Sequence, residues 1–354
     1  MRRVRLEKAQ TGVVVARAIH TLDGVILLPA GSRLTQEHKE KLRNHGITEI
    51  YIEDSYSEGL SIPELIKEEV ITDVKAQVKK LMTSPSIKVS VDAKKVGQIV
   101  ETLISKILEN DHIVATLCDV RSIDEYTFSH SVNVSVISLV TGIGVGLKGN
   151  DLKELGIGAL LHDIGKLMVD EAILQKPTTL LSIEYEEVKK HTWYGYDLLK
   201  NSGGFSQVAC DIALSHHERL DGSGYPKKLR SNDIHLHARI VAIADVYDAL
   251  TTDRVYRKKM MPHDVLDYML SLGGKHFDKN LLDVFVRHIA YYPVGTAVIL
   301  NSGEKGLVSA YNPYFPHRPV VRVVIDENGH TLKRYREVDL SQKLEYRVVS
   351  IWDI

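Results

Sequence analysis

The sequence has few cysteines, no long apolar segment and almost no net charge. Only Cys118 and Cys210 occur among its 354 residues, which excludes a disulfide framework and a zinc site built from cysteines. The basic start, Met1–Arg5, is not followed by the apolar segment of a signal peptide. No segment approaches the ~18 apolar residues of a membrane span, so we expect a cytoplasmic protein without one.

The charge balance narrows the classes of partner. Lys and Arg number 45 against 46 Asp and Glu, and the formal net charge is −1. Broad electrostatic attraction to a nucleic acid polymer or an anionic membrane is therefore not expected. A local site for a small anion remains compatible with this composition.

The length and the 44% hydrophobic content predict two or three globular domains, the first of them small and mixed α/β over residues 1–55. Strands are expected at Gly12–Val15, Val25–Leu28 and Ile50–Ile52, with a turn at Asp23–Gly24 and a helix between Thr35 and Gly46. No group of residues in this unit suggests catalysis.

Residues 56–110 predict a helical connector. Apolar residues recur at helical spacing on two segments, which Pro85 separates. The segments either pack within the larger domain or pair with a second copy of the chain. The repeats are too few to choose, so a homodimer stays an open alternative.

Residues 111–290 predict the main helical domain, and residues 291–354 a small β-barrel-like module. Strands are expected at Val298–Leu300, Leu307–Ser309, Val320–Val324 and Tyr346–Val349. Asn328–Gly329 is a typical hairpin turn. Because no cluster of candidate ligands accompanies these strands, we interpret the module as serving stability or docking.

His162-Asp163 is the first candidate site. Apolar residues lead into it at helical spacing, which predicts a buried helix ending at Gly165. A buried carboxylate needs a partner that the neighbouring leucines do not offer, and a metal ion would supply it. His263-Asp264 is the same dipeptide, but Pro262 before it indicates an exposed helix start, and we assign it no chemistry.

Further candidate ligands stand at positions that could converge with this pair. His130 opens an apolar helix, and His191 lies on a helix predicted to begin near Ser182. His216 and His217 can both face one site only where their helix ends, because neighbours on a helix diverge by about 100°. Asp245 and Asp248 lie one turn apart, so that one acid can face metals and the other a ligand.

Together these residues resemble the HD-GYP family of bacterial phosphodiesterases, which hydrolyse cyclic di-GMP. The resemblance covers residues 111–290 and implies an all-helical HD-type metallohydrolase domain. The motifs are His162-Asp163-x-Gly165-Lys166, His191, His216-His217-Glu218-x-x-Asp221-Gly222-x-Gly224-Tyr225-Pro226, Asp245-x-x-Asp248 and Arg254-x-Tyr256-Arg257.

The resemblance implies two divalent metal ions. One would be held by His130, His162, Asp163 and Asp245, and the other by Asp163, His191, His216 and His217. Asp163 would bridge them. Nitrogen and carboxylate ligands without thiolate suit iron or manganese.

The family chemistry implies attack on the phosphodiester by a metal-bridging hydroxide, with Lys166 neutralising charge that develops on the phosphate. The loop of Gly222, Gly224, Tyr225 and Pro226 would bring backbone close to the substrate. Asp124, Asp248, Arg254 and Arg257 match positions that contact guanine or phosphate.

This sequence departs from the family at three places. Arg230–His235 replaces a common glycine and proline, and Val255 replaces a proline. Tyr126 stands one turn before His130, where some members carry a carboxylate for a third metal. A phenol with a pKa near 10 is a poor ligand, so we expect two metals and linear pGpG as the main product.

Two alternatives remain open at this point. The same metal chemistry could hydrolyse another nucleotide, such as a hybrid cyclic dinucleotide or guanosine tetraphosphate. The chain could also be a binding module without turnover, which contacts signalling proteins through residues 61–110 and the Gly-Tyr-Pro loop.

Overall fold

The computed structural model describes residues 1–21, 25–84, 86–110, 126–252, 259–312 and 314–352, without the side chains of Tyr126 and Thr127. Predictions at Asp23–Gly24, Cys118, Asp124, Arg254 and Arg257 lie outside the described residues. The chain forms two compact units, an end unit from the described parts of 1–64 and 289–354, and a helical unit from those of 65–110 and 127–288.

The N-terminal part of the end unit is mixed α/β, as predicted. Its elements are β1 (Arg2–Arg5), β2 (Val14–Val15), β3 (Ile19–His20), β4 (Ile26–Leu28), α1 (Gln36–Asn44) and β5 (Glu49–Glu53). Strands β1, β5 and β2 form an antiparallel sheet in that order, and β3 pairs with β4. The Thr35 hydroxyl accepts the His38 N–H, which confirms Thr35 as the helix cap.

The C-terminal part is an open antiparallel sheet. Strands β6 (Ala297–Leu300), β7 (Lys305–Ala310), β8 (Val320–Ile325), β9 (Thr331–Asp339) and β10 (Val348–Ile351) lie in the order β10-β6-β7-β8-β9. The predicted barrel-like closure is wrong, because β9 and β10 are opposite edges of this sheet. Strand β9 was not predicted, since it carries charged residues where an apolar alternation would be expected.

The two ends of the chain share a core within this unit. Leu60 packs with Ala297 and Leu307, and Tyr51 and Ile62 pack with Val294. The Arg322 guanidinium donates a 2.7 Å hydrogen bond to the Glu58 carbonyl. Burial of these apolar side chains stabilises the packing of the C-terminal sheet against the N-terminal part of the unit.

The second unit is helical, which confirms the mainly α prediction. Its helices are α2 (Glu68–Met82), α3 (Ala93–Leu108), α4 (Tyr126–Gly144), α5 (Gly149–Leu161), α6 (Glu171–Leu174), α7 (Ser182–Lys189), α8 (His191–Ser202), α9 (Gln207–Ser215), α10 (Leu236–Thr251), α11 (Pro262–Ser271) and α12 (Lys279–His288). Within the ranges that the structure describes, each helix is too short or too polar to cross a membrane.

Helix α5 is the centre of the helical unit because its glycines let other helices approach closely. A Cβ added at Gly156 would lie 2.6 Å from Val100 of α3 and 3.0 Å from Leu139 of α4. One added at Gly158 would lie 2.3 Å from Ile212 of α9. The residues that follow α5 are therefore surrounded by neighbouring helices.

Helix α5 ends earlier than we predicted. It stops at Leu161, and a 3₁₀ helix, Ile164–Met168, follows after Asp163. Gly165 therefore does not end the α-helix. A Cβ there would lie 1.9 Å from the His191 carbonyl oxygen and 2.4 Å from the Gly195 nitrogen, so this glycine is needed for close backbone packing against α8.

We expect Gly165→Ala to lower the free energy of unfolding by about 1–3 kcal/mol, because the added methyl group has no space. Urea denaturation of the metal-free protein measures this change. Gly97→Ala in α3 is the matched control, since its Cβ would meet only the flexible end of Lys153 at 3.5 Å. Equal stability of the two variants would show that the close approach at Gly165 is not tightly constrained.

Candidate metal centre

Seven predicted ligands from five parts of the chain meet inside the helical unit. His130 comes from α4, His162 and Asp163 follow α5, His191 begins α8, His216 and His217 follow α9, and Asp245 lies on α10. Six of these side chains are buried, and His217 is partly exposed. Their ligand atoms form two groups, Asp163 with His191, His216 and His217, and His130 with His162 and Asp245.

Asp163 lies between the two groups. Its Oδ1 atom is 3.3 Å from His191 Nε2 and 3.8 Å from His216 Nε2. Its Oδ2 atom is 3.4 Å from His162 Nε2 and 3.6 Å from His130 Nε2. Each carboxylate oxygen therefore faces a different group.

Backbone carbonyls orient three of the rings. His162 Nδ1 lies 2.8 Å from the Ala159 oxygen, His191 Nδ1 lies 2.7 Å from Val188, and His216 Nδ1 lies 3.0 Å from Ala213. Because a carbonyl only accepts, each Nδ1 donates its proton. Each Nε2 then presents a lone pair toward Asp163, as a metal ligand must.

The helices around these ligands differ from the prediction at one point. His191 was expected inside a helix beginning near Ser182, but α7 ends at Lys189 and a separate helix starts at His191. We expected His216 and His217 to share a site only where their helix ends, and α9 stops at Ser215, directly before the pair. The His216 and His217 rings, with centroids 4.0 Å apart, thus reach the same cluster.

Asp248 faces His130, on the side away from Asp163. Asp248 Oδ2 lies 2.7 Å from His130 Nδ1, and Oδ1 accepts a 2.9 Å hydrogen bond from the Asn133 amide. The side chain is almost wholly buried. We predicted that Asp248 contacts the substrate, whereas this geometry supports a positioning role for it. Asn133 was missed, although its place three residues after His130 puts both on one helix face.

Lys166 and the histidines set the charge of Asp163. Lys166 Nζ lies 2.5 Å from Asp163 Oδ2. Burial alone would raise the pKa of Asp163, but Lys166 and His162 hold it well below its usual range. The carboxylate is therefore ionised at neutral pH.

The pKa values of the histidines shift in opposite directions on the two sides of Asp163, although burial lowers the pKa on both sides. Burial lowers the pKa of His191 and His216, and lowers that of His217 to about 3, so these rings are neutral at pH 7. Burial also disfavours charge on His130, but Asp245 and Asp248 overcome this and raise its pKa to about 9. Neutral imidazole is the form that binds metals.

Buried atoms that lack hydrogen-bond partners indicate that the cluster can bind a metal ion. Within the described parts of the chain, His162 Nε2 and Asp163 Oδ1 are buried and have no hydrogen-bond partner. Leaving buried polar atoms unpaired is costly, and a cation would satisfy both. The donor set contains nitrogen and carboxylate oxygen without sulfur, which agrees with iron or manganese.

The Gly-Tyr-Pro loop lies beside this cluster. Gly222 has a φ of +80°, the left-handed conformation predicted from glycine. The Tyr225 ring lies 4.7 Å from the His217 ring, and Pro226 follows it. A Cβ at Gly224 would lie 2.5 Å from the His217 oxygen and the Arg219 nitrogen, so this glycine serves packing within the loop.

Glu218 fixes the backbone that follows Pro226 in the loop. We did not predict this positioning role from the sequence. The buried Glu218 carboxylate accepts backbone N–H groups from Lys227 at 2.7 Å and Leu229 at 3.0 Å. Its place directly after His217 was the available signal. The same chain segment thus connects a candidate ligand to the loop.

Comparison with known proteins agrees with these observations. Residues 120–281 match the HD domain family, and residues 297–354 match a KOW domain associated with the HD domain. A cyclic di-GMP phosphodiesterase of Pseudomonas aeruginosa is 31% identical over 337 residues, covering 87% of this chain and 81% of that protein. The chain belongs to the HD-domain family that includes this phosphodiesterase.

Two other relatives match this chain over shorter stretches. The cyclic di-GMP phosphodiesterase response regulator RpfG of Xanthomonas campestris is 41% identical over 40% of this chain and 38% of its own length. The 3'3'-cGAMP-specific phosphodiesterase 1 of Vibrio cholerae is 38% identical over 53% of this chain and 43% of its own length.

We expect Asp248→Asn to lower the pKa of His130 from about 9 in the metal-free protein, because a neutral amide no longer stabilises the imidazolium. Titration of the histidine ring signals by NMR measures it. Asp264→Asn, beside His263, should leave the His130 value near 9. An unchanged His130 pKa in Asp248→Asn would contradict the positioning role.

Proposed function

We propose that this chain is a metal-dependent phosphodiesterase that hydrolyses cyclic di-GMP at the buried cluster. The observation that carries the proposal is the sharing of Asp163 between two groups of candidate ligands. The substrate is supported by the names of the relatives, which include one cyclic di-GMP phosphodiesterase matched over 87% of this chain.

We assign the ligands to two metals as the family resemblance implies, and the two groups of neighbouring ligand atoms support this assignment. His130, His162, Asp163 and Asp245 would hold one ion, and Asp163, His191, His216 and His217 the other. Iron or manganese suits this set of ligands. Two bound cations would supply Lewis acidity and a water of lowered pKa for attack at phosphorus.

Other side chains of the site bind and orient the substrate in this proposal. Lys166 is about one-third exposed beside Asp163, so its ammonium group can also approach a phosphate oxygen. Tyr225 and the loop of Gly222, Gly224 and Pro226 border the cluster. Asp124, Arg254 and Arg257 remain proposed contacts to guanine or phosphate on the basis of the motif resemblance.

The function is tested with purified, metal-analysed protein that is loaded anaerobically with iron or manganese and incubated with cyclic di-GMP. Linear pGpG should accumulate first in a chromatographic time course, and GMP should form much more slowly. We expect this order because Tyr126 replaces the carboxylate of a third metal site. If the loaded protein does not hydrolyse cyclic di-GMP, the proposed phosphodiesterase activity is wrong. If GMP forms as fast as pGpG, only the prediction of pGpG as the main product is wrong.

A second candidate substrate is 3'3'-cGAMP, because three of the relatives are named as phosphodiesterases specific for it. The metals held by the cluster would act on the phosphodiester, and this chemistry does not depend on the base. Competition between cyclic di-GMP, 3'3'-cGAMP and guanosine tetraphosphate in one assay would rank these substrates. Binding without cleavage of any of them would favour a signalling module that contacts partner proteins.

We expect Asp163→Ala to remove both metals and abolish turnover, because the two cations would lose the carboxylate between them and repel each other. Single changes such as His191→Ala should chiefly lower occupancy at one ion. Metal analysis of the purified variants, together with the phosphodiesterase assay, measures both effects.

His263→Ala is the matched control for these variants. It alters the second His-Asp pair at the start of α11, which belongs to neither group of candidate ligands. Metal content and activity should equal those of the unaltered protein. Two metals and full activity in Asp163→Ala would show that the bridging assignment is wrong.

A further inference from the structure

Aromatic side chains stand exposed on the helices that border the cluster. Tyr185 on α7 is 47% exposed, and Trp193 on α8 is 42% exposed. Trp193 lies two residues after the candidate ligand His191, and Tyr185 lies six residues before it. Exposed aromatic rings of this size are available to stack with a flat ligand.

A lysine accompanies each of these rings. Lys189 Nζ lies 4.6 Å from the centre of the Tyr185 ring, and Lys227 Nζ lies 5.5 Å from the Trp193 ring. Lys189 also pairs with Glu186 at 2.6 Å, and because the Glu186 side chain is exposed, a phosphate can replace it at little cost. The surface thus presents ring faces together with positive charge.

Tyr225 connects this surface to the cluster. Lys189 Nζ lies 5.5 Å from the Tyr225 ring, which in turn lies 4.7 Å from the His217 ring. Lys227 belongs to the same loop, two residues after Tyr225, and Glu218 fixes its backbone at 2.7 Å. The exposed rings and lysines therefore form a rim at the edge of the candidate metal centre.

A cyclic dinucleotide has more charged and aromatic groups than the cluster alone can bind. It has two phosphodiesters and two purine bases, and only one phosphodiester is cleaved at a time. The second phosphate is an anion that lysine can bind, and the bases are flat surfaces that stack on aromatic rings. The rim offers both kinds of group.

We propose that the rim of Tyr185, Lys189, Trp193 and Lys227 binds the base and phosphate of the cyclic dinucleotide that are not being cleaved. This inference rests on the proposed function, since it assigns the remainder of the same substrate. It makes the rim responsible for affinity toward dinucleotides, and leaves cleavage to the cluster.

The test compares the metal-loaded protein with its Tyr185→Ala and Trp193→Ala variants on two substrates. For cyclic di-GMP, KM should rise about 5- to 150-fold in each variant, the range expected for losing one base-stacking ring, while kcat changes little. Hydrolysis of bis(4-nitrophenyl) phosphate, which has no purine base, should change less than twofold. Tyr185→Phe should restore KM, because its ring still stacks.

Tyr268→Ala is the matched control, because Tyr268 on α11 is 48% exposed, nearly as much as Tyr185. The KM of Tyr268→Ala for cyclic di-GMP should equal that of the unaltered protein, and metal content should be equal in all variants. Unchanged KM in Tyr185→Ala and Trp193→Ala, while the unaltered protein cleaves cyclic di-GMP, would overturn the rim alone. No cleavage or binding of cyclic dinucleotides by the unaltered protein would overturn the proposed function and the rim together.

Discussion

The ionised Asp163 carboxylate, shared by two groups of mostly buried imidazoles, is the interaction on which the helical unit depends. Withdrawing a carboxylate from water costs several kcal/mol unless compensating charge and hydrogen bonds surround it. Here Lys166 supplies part of that compensation. A bound cation would supply the rest, because Asp163 Oδ1 has no hydrogen-bond partner within the described residues. Close packing around the glycines of α5 brings the elements that carry the imidazoles together, so the arrangement of the helices and the electrostatics of the cluster support each other.

The ligands are held by groups that do not themselves face Asp163. Backbone carbonyls orient His162, His191 and His216, while Asp248 orients His130. The carbonyls select the tautomers of their three rings before any metal arrives, and all four partners fix ring orientation, which reduces the entropy lost on binding. Glu218 has the equivalent function for the loop that carries Tyr225. The site is consequently preorganised by hydrogen bonds of its own surroundings.

The end unit shows a different kind of constraint. Its open sheet has two edges, and β9 at one of them carries Lys333, Arg334 and Arg336. Charged residues on an edge strand disfavour pairing with another chain. The sheet also buries Ala297 and Leu307 against Leu60 from the N-terminal part. Hydrophobic contact between distant parts of the sequence thereby completes this unit.

Much of the candidate site could be predicted from the sequence, because it depends on residue identity and local order. Paired His162-Asp163 and His216-His217, together with the Gly-Tyr-Pro segment, mark candidate ligands before any fold is known. The helix cap at Thr35 and the hairpin turn at Asn328–Gly329 could also be predicted, because each depends only on residues next to it in the sequence. Local chemistry of this kind is encoded within a few residues.

The remaining features were decided by tertiary contacts. Helical periodicity places Asp245 and Asp248 one turn apart but does not tell which neighbour each faces, and packing against α4 directs Asp248 to His130. The role of Gly165 follows from the backbone of α8, distant in sequence, and the openness of the sheet follows from which strands pair. The sequence by itself determined the ligand types and the helical class, because these depend on side-chain chemistry and local periodicity. Only the tertiary structure decided which way the Asp248 side chain faces and whether the C-terminal sheet closes, because both depend on contacts between segments far apart in the chain.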